Sequence, residues 1–174
     1  MEELWNDLNQ ALAPEIACSI GDVEQWFHFK NISTKNIALG GTIMEMEKYN
    51  NSIFLALTTY WTPLYDAYCK IAETYDIEFV LKSIEPGCGV FRNTDATGEF
   101  FPEEYCVTCV DDSIVTPSGK KLYEQLEPEA CFESEQETLD KFREIGYPAK
   151  NYKILKTLVE KDDIWIHQFE DPYH

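Results

Sequence analysis

Leu4, Trp5, Leu8, Ala11 and Leu12 recur at the three-to-four-residue spacing of one helix face, and Pro14 ends the series. The chain therefore opens on a short amphipathic helix. Residues 25–31 (QWFHFKN) are brief and aromatic-rich, which predicts a strand. Residues 37–46 predict another, bent at Gly40 and Gly41. Residues 52–61 (SIFLALTTYW) are apolar on both faces at their start, as a central strand would be. Thr62 and Pro63 then have the chemistry of an N-cap and a first helical residue. Leu64, Ala67/Tyr68, Ile71 and Tyr75 follow with helical period, predicting a helix over 63–75.

Residues 77–84 (IEFVLKSI) alternate as a strand, 85–89 (EPGCG) form a turn, and 90–94 return. Residues 93–98 have the composition of a hairpin loop and 100–110 supply a further strand, which completes an antiparallel meander. Pro117 and Ser118 open a short helix through Leu126. Ser134-Glu-Gln-Glu137 is spaced as a capping box ahead of Leu139, Phe142 and Ile145, and Gly146 and Pro148 close that helix. Residues 152–159 and 164–169, parted by 160–163 (EKDD), predict a terminal hairpin. Strands, a helix and then a meander imply an α+β fold with helices on one face of the sheet. One domain, 1–174, is expected: an N-terminal helical segment (1–22), a core (23–110), an acidic helical insertion (111–150) and the hairpin (151–174).

Thr58-Thr-Tyr-Trp-Thr-Pro63, the helix end Ala72-Glu-Thr-Tyr75, Ile77-Glu-Phe79 and Glu85-Pro-Gly-Cys-Gly89 together resemble the YubB-type ferredoxin-like family of plasmid- and phage-borne proteins. The match spans about 52–110. The resemblance implies a ferredoxin-like antiparallel sheet for the core and a mobile-element origin. Its motifs are structural, and it carries over no catalytic residue.

Composition narrows the function. With 44% hydrophobic and 14% aromatic residues in 174, the chain has ample material for a core. Its net charge of −18 excludes conventional nucleic-acid binding, which needs a basic stripe, and disfavours an anionic membrane surface. The start Met1-Glu-Glu-Leu-Trp-Asn-Asp7 is acidic where a signal peptide is basic. The longest apolar stretch, 53–61, is too short to span a bilayer. Cysteines 18, 69, 88, 106, 109 and 131 are too scattered for a disulfide scaffold. A reduced, cytoplasmic protein of a bacterial host cell is expected.

Candidate chemistry is sparse. Cys106-Val-Thr-Cys109 lacks a second metal-ligating pair, and strand alternation aims its thiols at opposite faces, as for buried structural cysteines. His28 and His167 fall in predicted strands without a recognisable nucleophile, and the third, His174, ends the chain. The Gly40-Gly41 and Gly87-Cys-Gly89 runs lack phosphate-loop spacing. No cofactor is implied. What stands out is the placement of charge: from Asp95 to Asp140, thirteen carboxylates face Lys120 and Lys121 alone, giving −11 in 46 residues. One function is then solubility. The sharper one is attraction to a basic groove built for nucleic acid, as in a non-enzymatic anti-CRISPR or other anti-defence inhibitor.

The expected contact set is Glu99, Glu103, Glu104, Asp111, Asp112, Glu124, Glu127, Glu129, Glu133, Glu135, Glu137 and Asp140, with Phe101, Tyr105, Tyr123 or Phe132 as aromatic anchors. Two alternatives stand beside it. Carboxylates near Asp111 and Asp112 would serve a metal-assisted hydrolase, and Leu4, Trp5 and Leu8 would form the face of a homodimer.

Overall fold

The first helix forms where its periodicity places it. In the computed structural model, which describes residues 1–13 and 19–173, α1 (Glu2–Ala11) buries Leu4 and Leu8. The expected stop at Pro14, and likewise Cys18 and His174, lie outside the described residues. The chain divides into two compact units, Met1–Phe79 and Val80–His174, with the boundary inside the 23–110 stretch.

In the first unit, β1 (Gly21–Asp22), β2 (Gly41–Lys48) and β3 (Ile53–Thr59) form an antiparallel sheet in that order. The strand expected to be central, β3, lies at the edge, and β2 is in the middle. Its double apolar face arises from Phe54, which is exposed, while Leu55 and Leu57 pack on the core. Gly41 allows a close approach, since a Cβ there would sit 2.8 Å from Leu64 Cδ1.

The strand expected over 25–31 is instead a helix, α2 (Val23–Phe29). Val23, Trp26 and Phe27 stand at i, i+3 and i+4 and are buried together. The Gln25 side-chain oxygen accepts from the Asp22 amide (3.2 Å), which supports the helix start. Helix α3 (Tyr65–Tyr75) begins two residues after Pro63, with Leu64 at its N-cap, and ends at Asp76 in the left-handed conformation. A polar chain ties the helices: Trp26 Nε1 donates to the Tyr75 hydroxyl (3.0 Å), which donates to Asp7 Oδ2 (2.8 Å), and Lys30 pairs with Asp7 (2.6 Å). Burial, joined by the acceptor Asp7, pushes the Tyr75 hydroxyl up to about 12 even though Trp26 opposes it.

In the second unit, β4 (Lys82–Glu85) and β5 (Val90–Asn93) form a two-stranded sheet around the turn Pro86–Cys88, with Gly89 left-handed. β6 (Tyr105–Cys109) is flanked by β7 (Cys131–Phe132) and β8 (Ile164–Gln168), both antiparallel. The first hairpin of the expected meander therefore forms, β5 pairing with β4, but the third strand does not join it: β6 takes its partners from much later in the chain. The strand expected over 77–84 shortens to β4, and the helix expected over 117–126 to one 3-10 turn, Leu122–Glu124.

Helix α4 (Glu135–Glu144) forms as expected, with Ser134 Oγ accepting from the Glu137 amide (3.2 Å). Gly146, at a φ of +103°, leaves it under the Pro117–Ser118 backbone, where a Cβ would meet Ser118 N at 2.6 Å. The terminal hairpin is also overturned, because its first arm is a helix, α5 (Tyr152–Val159). Asn151 Oδ1 caps it by accepting from the Ile154 amide (3.0 Å), and Leu155 and Val159 are buried a turn apart. Tyr105, Val107, Phe132, Leu139, Phe142, Leu155 and Ile166 share this unit's core. The fold is α+β with small antiparallel sheets. The segments matched at the sequence level lie in three of them: β3 in the first, β4 and β5 in the second, β6 in the third.

Candidate acidic interaction surface

The acidic stretch runs through the loop before β6, the long connection to β7, and the start of α4. Of the twelve carboxylates expected to contact a partner, eleven are exposed: Glu99, Glu104, Asp111, Asp112, Glu124, Glu127, Glu129, Glu133, Glu135, Glu137 and Asp140. Glu103 is not free in this way. It is half-buried in an ion pair with Lys82 at 3.0 Å.

Local structure sets the direction of several. Glu135 and Glu137 occupy the first turn of α4, where the helix dipole favours anions, and Glu137 Oε2 accepts from the Glu133 amide (2.7 Å). Asp140 accepts from Gln136 (2.8 Å) and Arg143 (3.0 Å). The Gln136 amide foremost, then Arg143, hold its carboxyl below the ordinary value against a small opposing burial effect. The Ser113 hydroxyl and amide do the same for Asp111, whose Oδ1 accepts from that amide at 2.8 Å. Glu129 stands at a left-handed φ of +55° in the turn leading to β7.

Asp95, the thirteenth acid of the stretch, has a different role. It is buried, and its carboxylate accepts from the Thr97 hydroxyl (2.7 Å) and from the amides of Thr97 (3.2 Å), Gly98 (3.1 Å), Phe100 (2.6 Å) and Phe101 (3.0 Å). Burial alone would raise its proton affinity. The Phe101, Phe100 and Thr97 donors outweigh that and hold the carboxyl well below the usual range.

The anchor set needs correction. Tyr105 and Phe132 are core residues, 5% and 7% exposed, because β6 and β7 turn them inward. Phe101 is half-buried under Lys82, and Tyr123 is exposed beneath Lys121. The exposed aromatic that periodicity missed is Phe100, which alternation in a strand would have turned opposite to Phe101; both instead cap the Asp95 loop by their amides.

Along the sequence, charge is segregated within the second unit. Outside 95–140 it holds seven acidic and eight basic residues, among them Lys150, Lys153, Lys156 and Lys161 on and around α5. Of these, Lys156 lines a cavity of about 420 Å³ together with Phe91, Arg92, His167, Gln168 and Glu170. His167 lies on β8 as expected, stacked on Phe91 at 3.8 Å and hydrogen-bonded to Thr108 Oγ1 at 2.8 Å. Burial first, then Lys156, keeps its proton affinity low. His28 falls on α2 rather than a strand, and is exposed beside Glu24.

The Cys-x-x-Cys pair separates: Cys106 is fully buried beside Cys131, while Cys109 packs against the core on the other face. Among the described residues, no three His, Cys, Asp or Glu side chains are grouped to hold a metal ion, so nothing converges at Asp111 and Asp112. Of the expected dimer face, Leu4 and Leu8 are 4% and 0% exposed within their own unit, while Trp5 is half-buried. No helix among the described residues is long and apolar enough to cross a membrane. Comparison with protein-family models, curated proteins and solved structures finds no match to this chain.

Proposed function

We propose that this chain is a non-enzymatic acidic interaction protein that occupies the basic surface of a nucleic-acid-handling or defence protein, of the CRISPR type, in a bacterial cytoplasm. The observation that carries the proposal is the segregation of charge. Eleven exposed carboxylates lie between Glu99 and Asp140, opposed by Lys120 and Lys121, while the rest of the second unit is close to neutral. Duplex DNA carries about one charge per 1.7 Å of axis, and a surface dense in carboxylates competes for the same Lys- and Arg-lined groove. Long-range attraction would steer encounter, and exposed Phe100 and Tyr123 supply apolar contact. The mobile-element origin, and a ferredoxin-like ancestry for 52–110, are part of the same proposal. They rest on the YubB-type resemblance of the sequence alone.

Affinity capture from a bacterial lysate at low salt, followed by elution with duplex DNA, tests this. A basic nucleic-acid-binding protein is retained by the native chain, displaced by DNA, and not retained by Glu133→Lys/Glu135→Lys/Glu137→Lys. Retention that survives the charge reversal refutes the proposal.

A further inference from the structure

In the second unit, the short edge strand β7 and the central strand β6 set a pair of thiols opposite one another. Cys106 on β6 and Cys131 on β7 are register partners across the antiparallel ladder. Immediately beside them the Val107 amide donates to the Ala130 carbonyl (2.9 Å). The cysteines therefore occupy the non-hydrogen-bonded type of position, where facing side chains approach most closely and Cα atoms lie about 4.5 Å apart. That falls inside the roughly 4.4–6.8 Å span that a disulfide bridges. Both thiols also converge on one acceptor, the Glu129 carbonyl oxygen, at 3.7 Å from Cys106 Sγ and 3.3 Å from Cys131 Sγ.

We propose that Cys106 and Cys131 form a reversible dithiol–disulfide pair, oxidised by exchange with a low-molecular-weight disulfide such as oxidised glutathione. Cys131 is the half-exposed member and Cys106 the buried one, so their roles divide. The Cys131 thiolate attacks one sulfur of the small disulfide, forming a mixed disulfide and releasing one thiolate. Cys106 then attacks the Cys131 sulfur, closes the Cys106–Cys131 bond and expels the second small thiol, which takes up the Cys106 proton. Two protein thiols are oxidised, and one small disulfide is reduced to two thiols.

The electrostatics agree with this order. Contact with Cys106 lowers the Cys131 thiol, with burial opposing and Lys82 assisting, whereas contact with Cys131 and then burial raise Cys106. Closure locks the two-residue β7 to β6 and cinches the intervening connection, which carries Asp111, Asp112, Glu124, Glu127 and Glu129. The pairing is independent of the partner proposed above.

The test uses the full chain, equilibrated in oxidised and reduced glutathione mixtures, quenched in acid, alkylated and mapped by mass spectrometry. The expected product is a peptide pair joined through Cys106 and Cys131, reversed by a dithiol reductant. Its melting temperature should exceed that of the reduced chain by several degrees. Cys109→Ser leaves the cross-link intact, and Cys131→Ser leaves Cys106 unmodified. Arrest at a Cys131–glutathione mixed disulfide, linkage of Cys131 to any other cysteine, no oxidation, or loss of the link in Cys109→Ser would each overturn the proposal.

Discussion

Asp95 shows how one residue's role departs from its composition. Counted in sequence it belongs to the acidic stretch, yet its carboxylate faces inward and collects five donors from Thr97, Gly98, Phe100 and Phe101. The turn character of 95–99 was legible from Asp, Thr and Gly. The burial was not, because it depends on amides of later residues folding back over the side chain. Asp95→Ala should cost about 2–4 kcal/mol by leaving those amides unpaired, measurable by urea denaturation. The carboxyl is held below its unfolded value of about 3.9, so its contribution is full above that pH and is lost as pH falls toward the folded value. An acid titration followed by circular dichroism should show this dependence in the native chain and a weaker one in Asp95→Asn. His167 acts at a higher pH with the same direction. Its folded proton affinity is lowered, so stability is full above about 6.5 and falls as the medium becomes more acid. Urea midpoints at pH 7.5 and 5.5 should differ more in the native chain than in His167→Gln.

At the scale of elements, helices with polar punctuation were legible and those disguised by strand-forming residues were not. α4 declares itself through Ser134 and Glu137. In α2 the run Trp-Phe-His-Phe and in α5 the run Tyr-Lys-Ile-Leu-Lys-Thr-Leu-Val have the aromatic and β-branched content of strands. The deciding signals were the caps, Asp22 with Gln25 and Asn151 with Ile154, together with buried pairs a helical turn apart. Asn151→Ala should therefore destabilise the chain by about 1 kcal/mol, whereas Leu155→Ala, at a fully buried site, should cost about 2–5 kcal/mol. Thermal melts of the two variants check that ranking. Strand pairing was hidden for another reason. Alternation identifies a strand but not its partner, and β6 pairs with β8 across more than fifty intervening residues.

Across the whole molecule, the net charge of −18 is less informative than its distribution. The candidate surface was legible as a density of carboxylates, and eleven of its twelve expected members are exposed. Only folding shows that Glu103 is committed to Lys82, that Asp95 is internal, and that Tyr105 and Phe132 serve the core. The central claim is competition with nucleic acid for a basic surface. It is tested most directly by fluorescence anisotropy of a labelled duplex bound to the captured protein, titrated with this chain over a range of salt concentrations. The duplex should be released stoichiometrically, with an apparent affinity that falls steeply as salt rises, and Glu133→Lys/Glu135→Lys/Glu137→Lys should release at least tenfold less effectively, equivalent to about 1.4 kcal/mol. A duplex that stays bound while the chain associates, or release that charge reversal and salt leave unchanged, would contradict the account.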